Sequence, residues 1–168
     1  MSAVPTSGFD PNLFLDATVT ETNEKRPPLP EENPASPDGL YTAVIGEVKM
    51  NSGTYDKGER IGQPWLQAVV DLQIEVPQQV QDGIGLKLEK GTLRFTDRPF
   101  IDLTPQKTID NAKGKNRAQK RYREAVDLNK PGDSFAWRML TGRVVKVKIK
   151  HELYDGQIQE RIDNVLKA

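Results

Sequence analysis

The chain has 168 residues, with 24 basic and 24 acidic side chains, 12 prolines, 13 glycines and no cysteine. That length holds one domain with an appendage, or at most two small ones, and the missing thiols exclude disulfides and thiolate metal sites. No apolar run approaches the roughly 18 residues that a membrane helix needs, and Met1-Ser-Ala-Val-Pro has neither the basic start nor the apolar centre of a signal peptide, so a cytoplasmic protein with no membrane partner is expected.

The net charge of +0 hides a segregation. Residues 1–39 carry Asp10, Asp16, Glu21, Glu24, Glu31, Glu32 and Asp38 against only Lys25 and Arg26. Residues 107–123 carry Lys107, Lys113, Lys115, Arg117, Lys120, Arg121 and Arg123 against only Asp110. Such a chain has an acidic end and a basic face, or else an ordinary solvated surface. Seven of the 12 prolines also fall before residue 40, which precludes a helix or a central strand there. Residues 1–38 therefore read as a proline-rich acidic arm, removable up to residue 36 without unfolding the domain over 39–168. Phe9, Leu13, Phe14 and Leu15 form an apolar island in the arm, suited to docking on its own domain or on a neighbour.

Asp38-Gly39 opens the domain. Leu40 to Met50 predicts a first strand, with Gly46 at a bulge or sharp bend. After a glycine-rich charged loop, Pro64 starts a second strand in which Leu66, Ala68, Val70, Leu72, Ile74 and Val76 share one face. Pro77 to Gly91 reads as an irregular excursion. Strand character returns over 92–103, where Pro99 fits only an edge or a bulge. From about Asn116 the period turns helical, with Ala118, Tyr122, Ala125 and Val126 on one stripe. Asp133 or Ser134 can cap a second short helix running to Leu140, closed by Gly142. Val145, Val147 and Ile149 then alternate with Lys146, Lys148 and Lys150, Tyr154-Asp155-Gly156 supplies a tight turn, and Ile158, Glu160 and Ile162 alternate on the return. The whole predicts a mainly β fold: a five-stranded OB-like Greek-key barrel with a helical segment between strands 3 and 4.

Catalytic chemistry finds little footing, and neither an enzyme, a metal nor a cofactor is expected. His151 is the single histidine and has no thiol to work with. Gly53-Thr-Tyr-Asp-Lys-Gly58 has the glycine spacing of a phosphate loop, but Glu59-Arg60 follows where Lys and Ser or Thr are needed. Asp97 and Asp102 are close enough in sequence to pair, without a metal cluster around them.

Binding chemistry is better represented. Single-stranded nucleic acid is held by cations along its phosphates and by aromatic faces under its bases. Lys146, Lys148 and Lys150 leave one strand face at intervals of about 7 Å, two residues of strand rise. Lys120, Arg121 and Arg123 crowd one helix, which is otherwise simply a solvated face. Trp65, Tyr41, Tyr55 and Tyr154 stand at strand starts or loop tips. Trp65 lies on the polar parity of strand two, where it either stacks on a base or fills space under the arm. Phe95, Phe135 and Trp137 read as core and helix-packing residues.

Gly142-Arg-Val-Val-Lys-Val-Lys-Ile-Lys-His-Glu, the Tyr154-Asp-Gly turn and the ending Asn164-Val-Leu-Lys-Ala resemble the end of a family of small phage-encoded proteins found with replication and recombination genes. The segments Gly39-Leu-Tyr-Thr-Ala-Val-Ile and Gly62-Gln-Pro-Trp-Leu are similar to it as well. That resemblance, over residues 39–168, implies an OB-fold single-stranded DNA-binding protein acting in phage replication or recombination in the host cytoplasm. It implies single-stranded DNA as partner; a homo-oligomer and contact with other phage replication or virion proteins are expected besides. The alternative of another class is a virion decoration protein, whose arm would tie neighbouring subunits of a shell together.

Overall fold

Strands form where the alternation is strongest: β1 Tyr41–Thr54, β2 Pro64–Glu75, β3 Thr92–Asp97, β4 Phe100–Ile101, β5 Val144–Tyr154 and β6 Gln157–Lys167. The computed structural model describes residues 9–168, so the first eight residues of the arm, Pro5 among them, lie outside the described part. All six strands join one antiparallel sheet in the order β3-β2-β1-β5-β6, with β4 also on β2. The strand expected over 92–103 is broken at Arg98-Pro99, because proline has no N–H to give the ladder. Pairing resumes two residues later, Phe100 opposite Gln67 and Ile101 opposite Leu66. In β1 the register slips between Ile45 and Val48, where Gly46 lies, as the mid-strand glycine predicts.

Two helices fill connections. Helix α1, Gln78–Ile84, occupies what the sequence presents as an irregular excursion. Its buried Gln81 donates from Nε2 to the Val76 carbonyl (2.9 Å) and accepts from the Leu88 N–H (3.1 Å), so one amide satisfies both flanking loops. Helix α2, Arg117–Ala125, sits where the helical period places it. The second short helix expected there is only a 3-10 turn, Trp137–Leu140, with no side-chain cap. Asp133 accepts instead from the Lys130 N–H at 2.7 Å.

Inward-facing residues of both halves of the sheet meet in one core. Tyr41, Ala43 and Ile45 come from β1, Ala68 through Ile74 at alternate positions from β2, and Val145, Val147 and Ile149 from β5. Tyr122 and Ala125 of α2, with Trp137 and Leu140, close it. Each large apolar side chain so buried contributes roughly 1.5–3 kcal/mol. No ladder joins β3 to β6, so the sheet is open where the expected barrel closes.

That open seam is spanned by other means. Tyr122 of α2 donates its hydroxyl to Asp97 Oδ2 at the end of β3 (2.6 Å), while Arg121 Nη1 donates to the Asp163 carbonyl of β6 (2.6 Å). Asp163 is the unopposed residue of a bulge, since Lys148 faces Asn164 and Ile149 faces Ile162. The arm makes a second crossing. Arg26 lies 5.5 Å from the Phe95 ring centre on β3 and pairs with Glu160 on β6 at 2.9 Å.

The prolines keep the arm free of helix and strand after its first turn, yet its second half belongs to the folded unit. Leu29 is fully buried in the core, and its N–H donates to Glu160 Oε2 (2.8 Å). His151 Nε2 donates to the Leu29 carbonyl (2.6 Å), the His151 N–H to Glu31 Oε1 (2.7 Å), and the Tyr41 hydroxyl to the Pro30 carbonyl (2.7 Å). Removal up to residue 36, expected to be harmless, would delete a core residue. Deleting residues 1–24 should leave the cooperative thermal transition in place, whereas Leu29→Ala should cost about 2–5 kcal/mol. An unfolding midpoint for Leu29→Ala equal to the parent's would show that the arm merely lies on the surface.

Burial, with the Glu160 carboxylate second, raises the Tyr41 phenol from 10.0 to about 12. The folded chain favours the neutral phenol, so this contribution is whole below the unfolded value and is lost as pH rises towards the folded one. Tyr122 is raised further still by burial and Asp97. Unfolding midpoints should therefore fall between pH 10.0 and about 12, and Tyr41→Phe should lessen the fall.

Candidate nucleic-acid interface

The β1–β2 hairpin runs past the core and carries the loop 55–63. Tyr55 is held at its base, its N–H donating to the Gln63 carbonyl (2.9 Å) and its carbonyl accepting from the Gly62 N–H (2.8 Å). Trp65 faces Gly53 across the ladder, and a methyl group on Gly53 would come within 2.5 Å of the indole Cζ2. Glycine at 53 thus makes the shelf on which the half-buried indole rests. The Trp65 ring meets Phe100 edge-on, with centroids 6.0 Å apart and planes at 81°. Because Ile101 turns into the core, Phe100 turns out, and it is 58% exposed. Arg60 stands 5.9 Å from the Tyr55 ring centre. Tyr55, Arg60, Trp65, Phe100 and Lys115 line one pocket of about 260 Å³.

Phe100 also lines a larger cleft, about 770 Å³, along the open seam. Arg98, Arg121, Lys150 and Arg161 enter it, but so do Asp97, Glu152, Glu160 and Asp163. Those carboxylates already have partners. Asp97 accepts from Tyr122, Glu160 binds Arg26 and the Leu29 N–H, and Glu152 pairs with Arg161 at 2.7 Å. Among the described residues, Arg98 and Lys150 have no acidic partner within ion-pair distance. Tyr154, 68% exposed at the β5–β6 turn, also lines the cleft.

The structure thus gathers Trp65 and Tyr55 in the aromatic pocket, and Arg121, Lys150 and Tyr154 in the cleft beside it. Tyr41 does not belong: it is fully buried, with its hydroxyl on the Pro30 carbonyl, so no base can reach it. The lysine stripe is largely neutralised. Lys146 is ion-paired with Asp38, which it holds, together with Ser36 and the Leu40 N–H, well below the usual carboxylate range. Lys148 lies 3.9 Å from Asp163, so among the described residues Lys150 is the member without an acidic partner. Lys120 and Arg123 face a different groove, between α2 and the turn Trp137–Leu140. Asp97 and Asp102 do not pair with each other: Asp102 Oδ2 accepts from the Asn116 N–H at 2.7 Å and fixes the turn into α2.

Sequence reasoning passed over Phe100, Arg60 and Arg98, and saw Lys115 only as part of the basic run 107–123. Phe100 carried a usable signal, an aromatic on the parity opposite Ile101 just after an edge proline. Arg60 and Arg98, as isolated cations, carried none. Among the described residues, no three His, Asp or Glu side chains converge as metal ligands do. No protein-family model matches the chain, and no curated protein matches it.

Gly53→Ala tests the shelf. The added methyl should push the Trp65 indole into water and move its fluorescence to longer wavelength. The buried Trp137, whose Nε1–H donates to Gln119 Oε1 at 3.1 Å, should contribute no such change. An unshifted spectrum in a folded Gly53→Ala protein would remove the shelf from the account.

Proposed function

We propose that the protein binds single-stranded DNA without catalysing a reaction, in phage replication or recombination in the host cytoplasm. The observation that carries this is Phe100. A large aromatic side chain mostly in water, edge-on to a half-buried Trp65 and flanked by Arg60 and Lys115, contributes little to folding but offers a face on which a base can stack. Two further features support it. The open antiparallel order β3-β2-β1-β5-β6 is compatible with an OB-like arrangement, a fold that takes oligonucleotides, and the aromatic pocket is lined from the β1–β2 loop, β2 and β4. The likeness of residues 39–168 to phage single-stranded DNA-binding proteins points the same way.

A second reading rests on the arm. Phe9, Leu13, Phe14 and Leu15 are all exposed, and among the described residues Phe9 and Phe14 stack on each other, at 5.3 Å. Exposed apolar side chains in such a cluster fit contact with a neighbouring copy. In a virion shell protein that contact would be the main function; in a DNA-binding protein it would make a homo-oligomer.

Phe100→Ala should weaken binding to labelled oligo-dT by about 1–3 kcal/mol with an unchanged salt slope. Arg60→Gln with Lys115→Gln removes two phosphate contacts and should flatten the log–log salt slope by about 1.4 units, at roughly 0.7 per contact. If the parent shows no salt-sensitive binding to oligo-dT, the shell reading takes its place.

A further inference from the structure

A second groove, about 640 Å³, runs between α2 and the turn Trp137–Leu140. Lys115, Lys120, Arg123 and Arg138 enter it against one carboxylate, Asp110, whose Oδ1 already accepts from the Ala112 N–H at 2.9 Å. The seam cleft, by contrast, holds as many carboxylates as cations. Like charges gathered around one cavity repel and favour an anion between them. Little of this charge serves the fold. Among the described residues Lys115 and Arg138 have no ion-pair partner, and Lys120 has only an exposed contact to Glu124 at 3.6 Å. Pairs of that kind contribute little. Arg123 is the exception, held by the Leu128 carbonyl at 2.8 Å.

No aromatic ring of this groove is exposed as Phe100 is, Phe135 being half-buried. Trp137 is buried, and Arg123 stands 5.7 Å from the ring centre of Phe135. Charge without an open aromatic face suits a phosphate backbone rather than bases. Lys115 lines both this groove and the pocket of Trp65 and Phe100. We infer that the α2 groove is a phosphate-binding channel, which a single strand enters at Lys115 after stacking on Phe100 and Trp65. The inference rests on the function proposed above and adds a path: bases are held at the aromatic pocket, and the backbone beyond them is held on α2.

The test compares Lys120→Gln/Arg138→Gln with the parent on a short and a long labelled oligo-dT, about 5 and about 15 nucleotides, near the two ends of known site sizes. Short-strand binding should be unchanged. For the long strand the variant's log–log salt slope should be flatter by about 1.4 units. Between 50 and 200 mM salt the parent should then lose about sevenfold more affinity than the variant, which is fourfold in salt raised to that power. Lys120→Arg/Arg138→Lys should restore the parent's slope, separating charge from packing. Equal long-strand slopes in parent and variant would overturn the channel while leaving the aromatic site standing. Equal loss on both strands would show that these cations belong to the aromatic site and form no separate section. A parent that binds neither strand would remove both readings together.

Discussion

The structure depends on how the gap between β3 and β6 is held. A sheet with two free edges presents unpaired backbone groups to water and to other chains. Here α2 ties the edges through Asp97 and the Asp163 carbonyl, and the arm ties them through Phe95 and Glu160. Glu160 is the most heavily used of these groups, since one carboxylate serves both Arg26 and the Leu29 N–H. Removing such an acceptor leaves a part-buried donor unsatisfied, which costs about 1–3 kcal/mol. The seam is thus closed by side chains and not by a ladder. That leaves a cleft whose carboxylates are committed to structure and whose remaining cations face outwards.

This division explains why the cleft is electrically balanced while the neighbouring surfaces are not. Carboxylates of the seam hold the fold; Arg98, Lys150, Arg60 and Lys115 hold nothing comparable. The aromatic pocket sits where Arg60 and Lys115 meet the exposed Phe100, which strand alternation turns outwards beside the buried Ile101. Stacking and charge therefore occupy adjacent surfaces, with Lys115 lining both the pocket and the α2 groove. Such a layout suits a strand held by its bases at one place and its phosphates at the next.

The strands were legible because alternation over β2 and β5 is long and regular, and a period of two has few alternative readings. Gly46 and Pro99 announced their irregularities for the same local reason. The arm's role was not legible. Leu29 is one apolar residue among prolines, with no periodicity, and its burial depends on His151 and Glu160 more than a hundred positions away. Helix α1 was hidden because only Val80 and Gln81 are buried in its seven residues, and one of these is polar. The lysine stripe shows the limit for the site. The alternation correctly sets Lys146, Lys148 and Lys150 opposite the core, but nothing local tells that Asp38 and Asp163 stand beside two of them. Whether a cation is free is a long-range property.

The two tryptophans allow a direct measurement. In a two-dimensional NMR spectrum each indole N–H gives its own signal, and the Trp137 N–H is buried on Gln119 while Trp65 lies in the pocket. Titration with an oligo-dT of about 5 nucleotides should move the Trp65 signal in step with binding and leave Trp137 in place. If the oligomer binds and Trp65 does not move, or Trp137 alone moves, the aromatic pocket is not the site.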